Sequence, residues 1–215
     1  WVRLELSMIR IALPRGDLRG PLASTLEEVG FEVVDYGSGS RAYRFNVKDR
    51  NDMAVRVFSD RDIPIQVASG NYDLAICSRI SIDELLTRYP KESIVPLRMI
   101  SLSNVSDDDS DSLVIGGAID SDLSVLGSRD AYTVTTEFPN IALRYLTEMQ
   151  ARNYRILDVW AQPEAWPPED ADFTIVDLKK KTREAPKICD EKSSNFSLKI
   201  DPILSQKIKP IQVCY

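Results

Sequence analysis

The chain has 215 residues, 43% hydrophobic and 28% charged, with a formal net charge of -6 and no histidine. That length admits one large domain or two small ones, and the acidic balance excludes a general nucleic-acid binder while leaving room for a local Arg and Lys cluster around an anionic substrate. The lack of histidine removes Ser-His and Cys-His nucleophile systems, histidine general bases and histidine metal sites in one step.

The seven residues before Met8, WVRLELS, are too short and too polar for a secretory leader. Residues 8–14, MIRIALP, read as a short buried parallel strand ended by proline, and Arg15-Gly16 as a tight turn. Residues 17–31 read as a helix with Leu18, Leu22, Leu26 and Val29 near one face and Gly30 as its stop. Residues 32–37 look like a strand, and 41–59 like a hairpin turning on the polar KDRND at 48–52. A helix over 62–69 and a strand over 73–77 follow. Residues 81–90 open on Ser81 with Glu84 three residues on, the capping-box pattern, and 94–102 return as a strand.

Residues 103–112, SNVSDDDSDS, carry four Asp and four Ser and read as a solvated loop; they lack the glycine and closing glutamate of an EF-hand. Strands then appear at 113–118, 131–136, 154–160 and 173–178, with a helix over 139–150 that has Pro139 in its first turn. The linker 161–172 holds three prolines. Alternating strands and helices imply parallel or mixed sheets covered by helices, in two units divided by the acidic loop. In such sheets ligands sit beyond the carboxyl ends of the strands, where Arg15, Arg61 and Arg79 fall in the first unit and Thr135, Thr136 and Glu137 in the second.

Cys77, Cys189 and Cys214 show no paired or metal-like spacing, which fits a reducing cytoplasm. No apolar run approaches the ~20 residues of a membrane span.

Six segments resemble one family in collinear order. IRIALPRGDL at 9–18 resembles the first strand and Pro-Lys-Gly-Arg-Leu turn of the ATP phosphoribosyltransferases. RAYR at 41–44 resembles their Arg-Ser-Tyr-Arg segment, and DIPIQVASGNYDLAI at 62–76 their Asp-Ile-Pro-x-x-Val-x-x-Gly-x-x-Asp-Leu-Gly-Ile signature. TEFPNIALRYL at 136–146, PEAWP at 163–167 and TIVDL at 174–178 resemble Thr-Lys-Tyr-Pro-Asn, Val-Glu-Ala-Ala-Pro and Ala-Ile-Val-Asp-Leu.

The resemblance implies a two-domain α/β fold of the type II periplasmic-binding-protein kind, with a cleft between the lobes. Domain I would comprise residues 1–102 and 180–215, and domain II residues 103–179. It implies that N1 of ATP attacks the anomeric carbon of phosphoribosyl pyrophosphate and displaces pyrophosphate, the first step of histidine biosynthesis, with Mg2+ held by substrate phosphates. It also implies a cytoplasmic short form, a homodimer and a histidyl-tRNA-synthetase-like regulatory subunit, with neither nucleic acid nor membrane as partner. The substrate-binding residues expected on this basis are Arg15, Gly16, Arg41, Arg61, Ser78, Arg79, Glu164, Asp177, Lys181 and Thr182, with no catalytic or metal-ligating residue assigned. Arginine suits this task because its guanidinium donates in a fork that matches phosphate oxygens.

Several positions depart from the family pattern. Where the family has a Thr-Gly-x-Thr-Leu phosphate loop, this chain reads KKKTREAP at 179–186, without glycine. Its lysines would act either as point charges on phosphate or as a solvated strand exit. Ala75 and Ser78 replace glycines, Ile80 stands for a carboxylate, Asp17 for an arginine, and no Gly-Arg-Cys strand is found near 97–102. These changes keep open a second reading, a catalytically lapsed paralogue that binds a small anionic ligand, and a weaker third, a regulatory subunit.

Overall fold

The computed structural model describes residues 8–177 apart from 38, 92–93, 99, 101, 103–112, 119–130, 161 and 168, together with Phe196–Ser197. The chain divides into two compact units, with the boundary at Asp107/Asp108.

The first unit is built on a four-stranded sheet. Its strands are β1 (Ile9–Pro14), β2 (Arg44–Val47), β3 (Arg50–Phe58) and β4 (Leu74–Ala75), in the order β2-β3-β1-β4. β1 runs parallel to β3 and β4, whereas β2 and β3 form an antiparallel hairpin. β1 lies between two neighbours, so its residues from Ile11 to Pro14 are all buried, as a continuous apolar run demands. The hairpin turns on Lys48-Asp49 alone, because Asp49 accepts a positive φ of 57°; Arg50 to Asp52 of the expected turn belong to β3.

Helix α1 (Arg19–Glu28) starts after a 3-10 turn over Gly16–Leu18. Gly30, at φ +77°, closes it: the Gly30 N–H donates to the Glu27 carbonyl and the Phe31 N–H to the Leu26 carbonyl. Leu22 and Leu26 enter the core, but Val29 is 72% exposed, and the third inward residue is Arg19. The strand expected over 32–37 is reduced to one bridge, Val33 to Val47. Asp35 adopts a φ of +62°, which breaks the extended run and turns Tyr36 inward, where its hydroxyl donates to the Pro14 carbonyl at 2.6 Å.

Helix α2 (Ile63–Ala68) carries Pro64 in its first turn and ends at Gly70, at φ +70°. Helix α3 runs Arg79–Arg88, and its N-cap is Ser78, three residues before the expected Ser81. Ser78 has extended geometry and accepts from the Ser81 N–H, while Ser81 lies buried within the first turn. The described residues of the segment expected as a strand over 94–102 form none; Val95 and Leu97 are exposed.

The second unit holds β5 (Leu113–Ala118), β6 (Tyr132–Thr136), β7 (Tyr154–Asp158), β8 (Phe173–Asp177) and β9 (Phe196–Ser197), in the order β7-β6-β8-β5-β9. β6 is parallel to β7 and β8, and β5 is antiparallel to β8 and β9, so this sheet too is mixed. Helix α4 (Pro139–Glu148) buries Ile141, Ala142, Tyr145 and Leu146, one stripe at helical spacing. Within the tail that was expected to return to the first domain, Phe196–Ser197 pairs with β5 of the second sheet.

Candidate functional site

Parallel pairing gathers the strand ends of the first unit. Because β1 and β3 are adjacent and parallel, with Pro14 opposite Phe58, their carboxyl ends emerge at one edge. The Arg15 N–H donates to the Phe58 carbonyl at 2.8 Å, and Gly16, at φ +81°, turns the chain there. Ser59, Asp60 and Arg61 leave β3 at this edge. β4 is parallel to β1, and the Ile76 N–H donates to the Ala12 carbonyl, which leads the chain on to Ser78 and Arg79. β2 runs the opposite way, so its amino end lies here too: the Val57 N–H donates to the Tyr43 carbonyl at 3.0 Å. Arg15, Gly16, Arg41, Arg61, Ser78 and Arg79 therefore sit along one edge of one sheet. Arg15 and Arg41 are exposed, and Arg61 and Arg79 half-buried. The Arg79 Nε lies 3.5 Å from Asp83 one turn on.

A residue the sequence reading did not single out organises this edge. The Asp60 carboxylate receives the Ser78 N–H at 2.8 Å, the Ser81 hydroxyl at 2.6 Å and the Ser78 hydroxyl. It sits at the amino end of α3, where unpaired N–H groups and the helix dipole favour a negative charge. The Ser78 donors expected to meet a substrate are thus directed to Asp60. The signal was present in the sequence, in an acidic residue directly after one strand and a Ser N-cap directly after the next. Cys77, beside this cluster, has its thiol pushed up to about 12, first by burial and then by the Asp60 charge.

The other signature residues hold the opposite end of β4. Asp73 takes the Arg10 backbone N–H at 2.8 Å and two guanidinium donors at 3.1 and 2.8 Å, and the same guanidinium reaches the Gly70 carbonyl at 3.0 Å. These hydrogen bonds from Arg10 hold the Asp73 carboxyl down at about 2. Asp73, Gly70 and Pro64 therefore shape the α2–β4 connection.

Arg19 is the second residue missed. It lies on α1 three and seven residues before Leu22 and Leu26, on the apolar stripe itself. Its guanidinium stacks 5.0 Å from the Tyr36 ring and 4.9 Å from the Phe45 ring and donates to the Ser40 carbonyl at 2.7 Å.

In the second unit, Glu164 lies half-buried in a 3-10 turn over Pro163–Ala165, and half-buried Asp177 ends β8 opposite Leu113. Thr135 and Thr136 at the end of β6, expected near a ligand, are fully buried. The Thr135 hydroxyl donates to the Pro163 carbonyl at 2.9 Å, and Thr136 Oγ1 accepts the Phe138 N–H at 2.9 Å. Their polar atoms serve the backbone because a buried hydroxyl needs a partner. Lys181 and Thr182 lie outside the described residues.

Among the described residues, no group of three or more Cys, Asp or Glu is placed to hold a metal ion, and no helix is long and apolar enough to cross a membrane.

No family model matches the chain. Over 173 residues it is 32% identical to an ATP phosphoribosyltransferase from Natronomonas pharaonis, covering 79% of this chain and 56% of the relative. Over 171 residues it is 28% identical to an ATP phosphoribosyltransferase from Haloarcula marismortui, with the same coverage of 79% and 56%. The chain thus spans about half the length of these curated relatives. Among solved structures, it is similar to the ATP phosphoribosyl transferase (HisG:HisZ) complex from Thermotoga maritima. That similarity has a TM-score of 0.61 and 18% identity and covers 89% of this chain and 81% of that one, a likeness of fold. Along 79% of its length, the chain is similar to proteins named ATP phosphoribosyltransferase.

Proposed function

We propose that this chain joins ATP to the phosphoribosyl group of phosphoribosyl pyrophosphate, with release of pyrophosphate, as the first step of histidine biosynthesis. The observation that carries this reading is the row of arginines, Arg15, Arg41, Arg61 and Arg79, along the carboxyl edge of the first sheet. Guanidinium groups there would bind the phosphates of both substrates and neutralise charge as it develops on the leaving pyrophosphate. The bond from N1 of adenine to the anomeric carbon forms as the carbon–oxygen bond to pyrophosphate breaks, and the electron pair leaves with pyrophosphate. Nothing in that displacement requires a covalent enzyme intermediate, so the chain contributes positioning and electrostatic stabilisation. Magnesium belongs in this scheme to the substrate phosphates.

The reading places the substrates in a cleft between two periplasmic-binding-protein-like lobes, with Glu164, Asp177, Lys181 and Thr182 on the second wall. Its partners would be a second copy of the chain and a regulatory subunit, in line with the two-component complex among its structural neighbours. Its compartment would be the cytoplasm.

The test is incubation with ATP, phosphoribosyl pyrophosphate and magnesium, following phosphoribosyl-ATP by chromatography and pyrophosphate by a coupled assay. Product should form, and Arg15→Ala or Arg41→Ala should lower kcat/KM at least about tenfold, the loss of one charged hydrogen bond in the transition state. Nucleotide binding without product, with or without an added regulatory subunit, would sink the proposal and leave the lapsed, ligand-binding reading in its place.

A further inference from the structure

Arg19 poses an energetic problem. It is 7% exposed, yet among the described residues its guanidinium makes one hydrogen bond, to the Ser40 carbonyl at 2.7 Å. Among the described residues, the Nε and Nη2 donors are buried without a partner. A buried cation with unmatched donors is costly, and the faces of Tyr36 and Phe45 offset only part of that cost. Packing alone would be served better by an aliphatic side chain on the same stripe as Leu22 and Leu26.

An external anion does not answer the problem. A cavity of about 690 Å³ lies beside Tyr36 and Ser40, but Glu27, Glu32 and Asp35 line it and would repel a negatively charged ligand. The remaining role is internal. Arg19 grips the Ser40 carbonyl, and the Val57 N–H grips the Tyr43 carbonyl at 3.0 Å. The Ala42 N–H meets Ser40 Oγ at 3.4 Å between them. Arg41 is therefore held between two fixed carbonyls, on a segment whose Gly39 turns at φ +93°.

We propose that Arg19 is a positioning residue that fixes the segment carrying Arg41 at the sheet edge, so that the Arg41 guanidinium is presented in one place. This rests on the functional reading above for what Arg41 does, but not for whether the segment is held. An aliphatic residue at 19 would fill the space and leave the Ser40 carbonyl without a partner.

Two measurements on the full chain test it. The first is amide hydrogen exchange over residues 39–44. Arg19→Gln should accelerate exchange there at least about tenfold while the amides of β1 and β3 keep their protection. Arg19→Lys, which retains the charge and a donor, should recover part of the protection and guards against simple loss of fold. The second is a double-mutant cycle on kcat/KM for phosphoribosyl pyrophosphate. Arg19→Gln and Arg41→Ala should each lower it about tenfold, and the double variant should fall no more than about twofold below the worse single one. Unchanged exchange at 39–44, or effects that multiply, would overturn the proposal. If Arg41→Ala leaves turnover intact, the role given to Arg41 fails, and the exchange measurement still decides whether Arg19 holds the segment.

Discussion

At the carboxyl edge of the first sheet, the loops are held by charged side chains: Asp60 gathers Ser78 and Ser81, and Arg19 grips Ser40. At the corresponding edge of the second sheet the same task falls to the neutral hydroxyls of Thr135 and Thr136, both fully buried and turned onto the backbone. The difference matters for function. Neutral hydroxyls sealed in a core stiffen it and have no surface left for a ligand. Charged latches hold the loops at the edge where Arg15, Arg41 and Arg61, the proposed substrate residues, also lie. The chemistry of the first unit is therefore expected at its strand ends, and that of the second in its outlying turns, such as the one that bears Glu164.

The contrast can be broken at its strongest point by Asp60→Ala. That change strips three donors of a charged acceptor in a partly buried setting and should destabilise the first unit by about 2–4 kcal/mol in denaturant titrations. Adding Ser78→Ala should cost little more, since both partners of one network are then gone. A loss within about 0.5 kcal/mol of zero would mean that Asp60 is not a latch. In the second unit, Thr135→Val keeps the shape but leaves the buried Pro163 carbonyl with only the longer bond from the Trp166 N–H at 3.4 Å, so a smaller loss of about 1–2 kcal/mol is expected from the same titration.

Cys77 sharpens the comparison without a change in stability. Burial, aided by Asp60, pushes its thiol up to about 12, so alkylation at pH 8 should be far slower in the folded chain than in urea. Peptide mapping would follow Cys77 apart from Cys189 and Cys214. Equal rates in the two states would contradict the burial. The smallest effect is expected at Asp73, whose ion pair with Arg10 is exposed and screened by salt. Its carboxyl is depressed to about 2 in the fold, so its contribution is complete above the ordinary carboxylate range near 4 and is lost as pH falls through 2. Asp73→Asn should flatten that acid limb and leave stability near neutral pH little changed. An unaltered acid limb would show that the pair does not contribute.

How far the sequence could be read depended on the range of the forces involved. Strands β1 and β8 announced themselves because burial on both faces selects largely apolar runs. The expected strand over 32–37 failed at Asp35, whose left-handed backbone is not forced by its residue type. The start of α3 was misread because Ser78 and Ser81 are both good caps. The chain chose Ser78, which meets Asp60, 18 residues away in sequence, through its backbone N–H as well as its hydroxyl, whereas Ser81 reaches it through its hydroxyl. Arg19 escaped notice because an arginine on an apolar stripe reads as a break in the pattern, and only the two aromatic rings that enclose it make it part of the core.

By itself, then, the sequence determined what acts over a few residues: the alternation of apolar runs and helical stripes, the glycine stops at Gly30 and Gly70, and the collinear motifs that carry its resemblance to one family. Tertiary structure alone decided which charges meet. Arg10 finds Asp73 from 63 residues away once β1 and β4 lie side by side, and Arg19 finds Ser40 from 21 once α1 and the loop before β2 come together. Backbone preference is a local property of each residue, whereas a hydrogen bond between distant side chains depends on the path of all the chain between them.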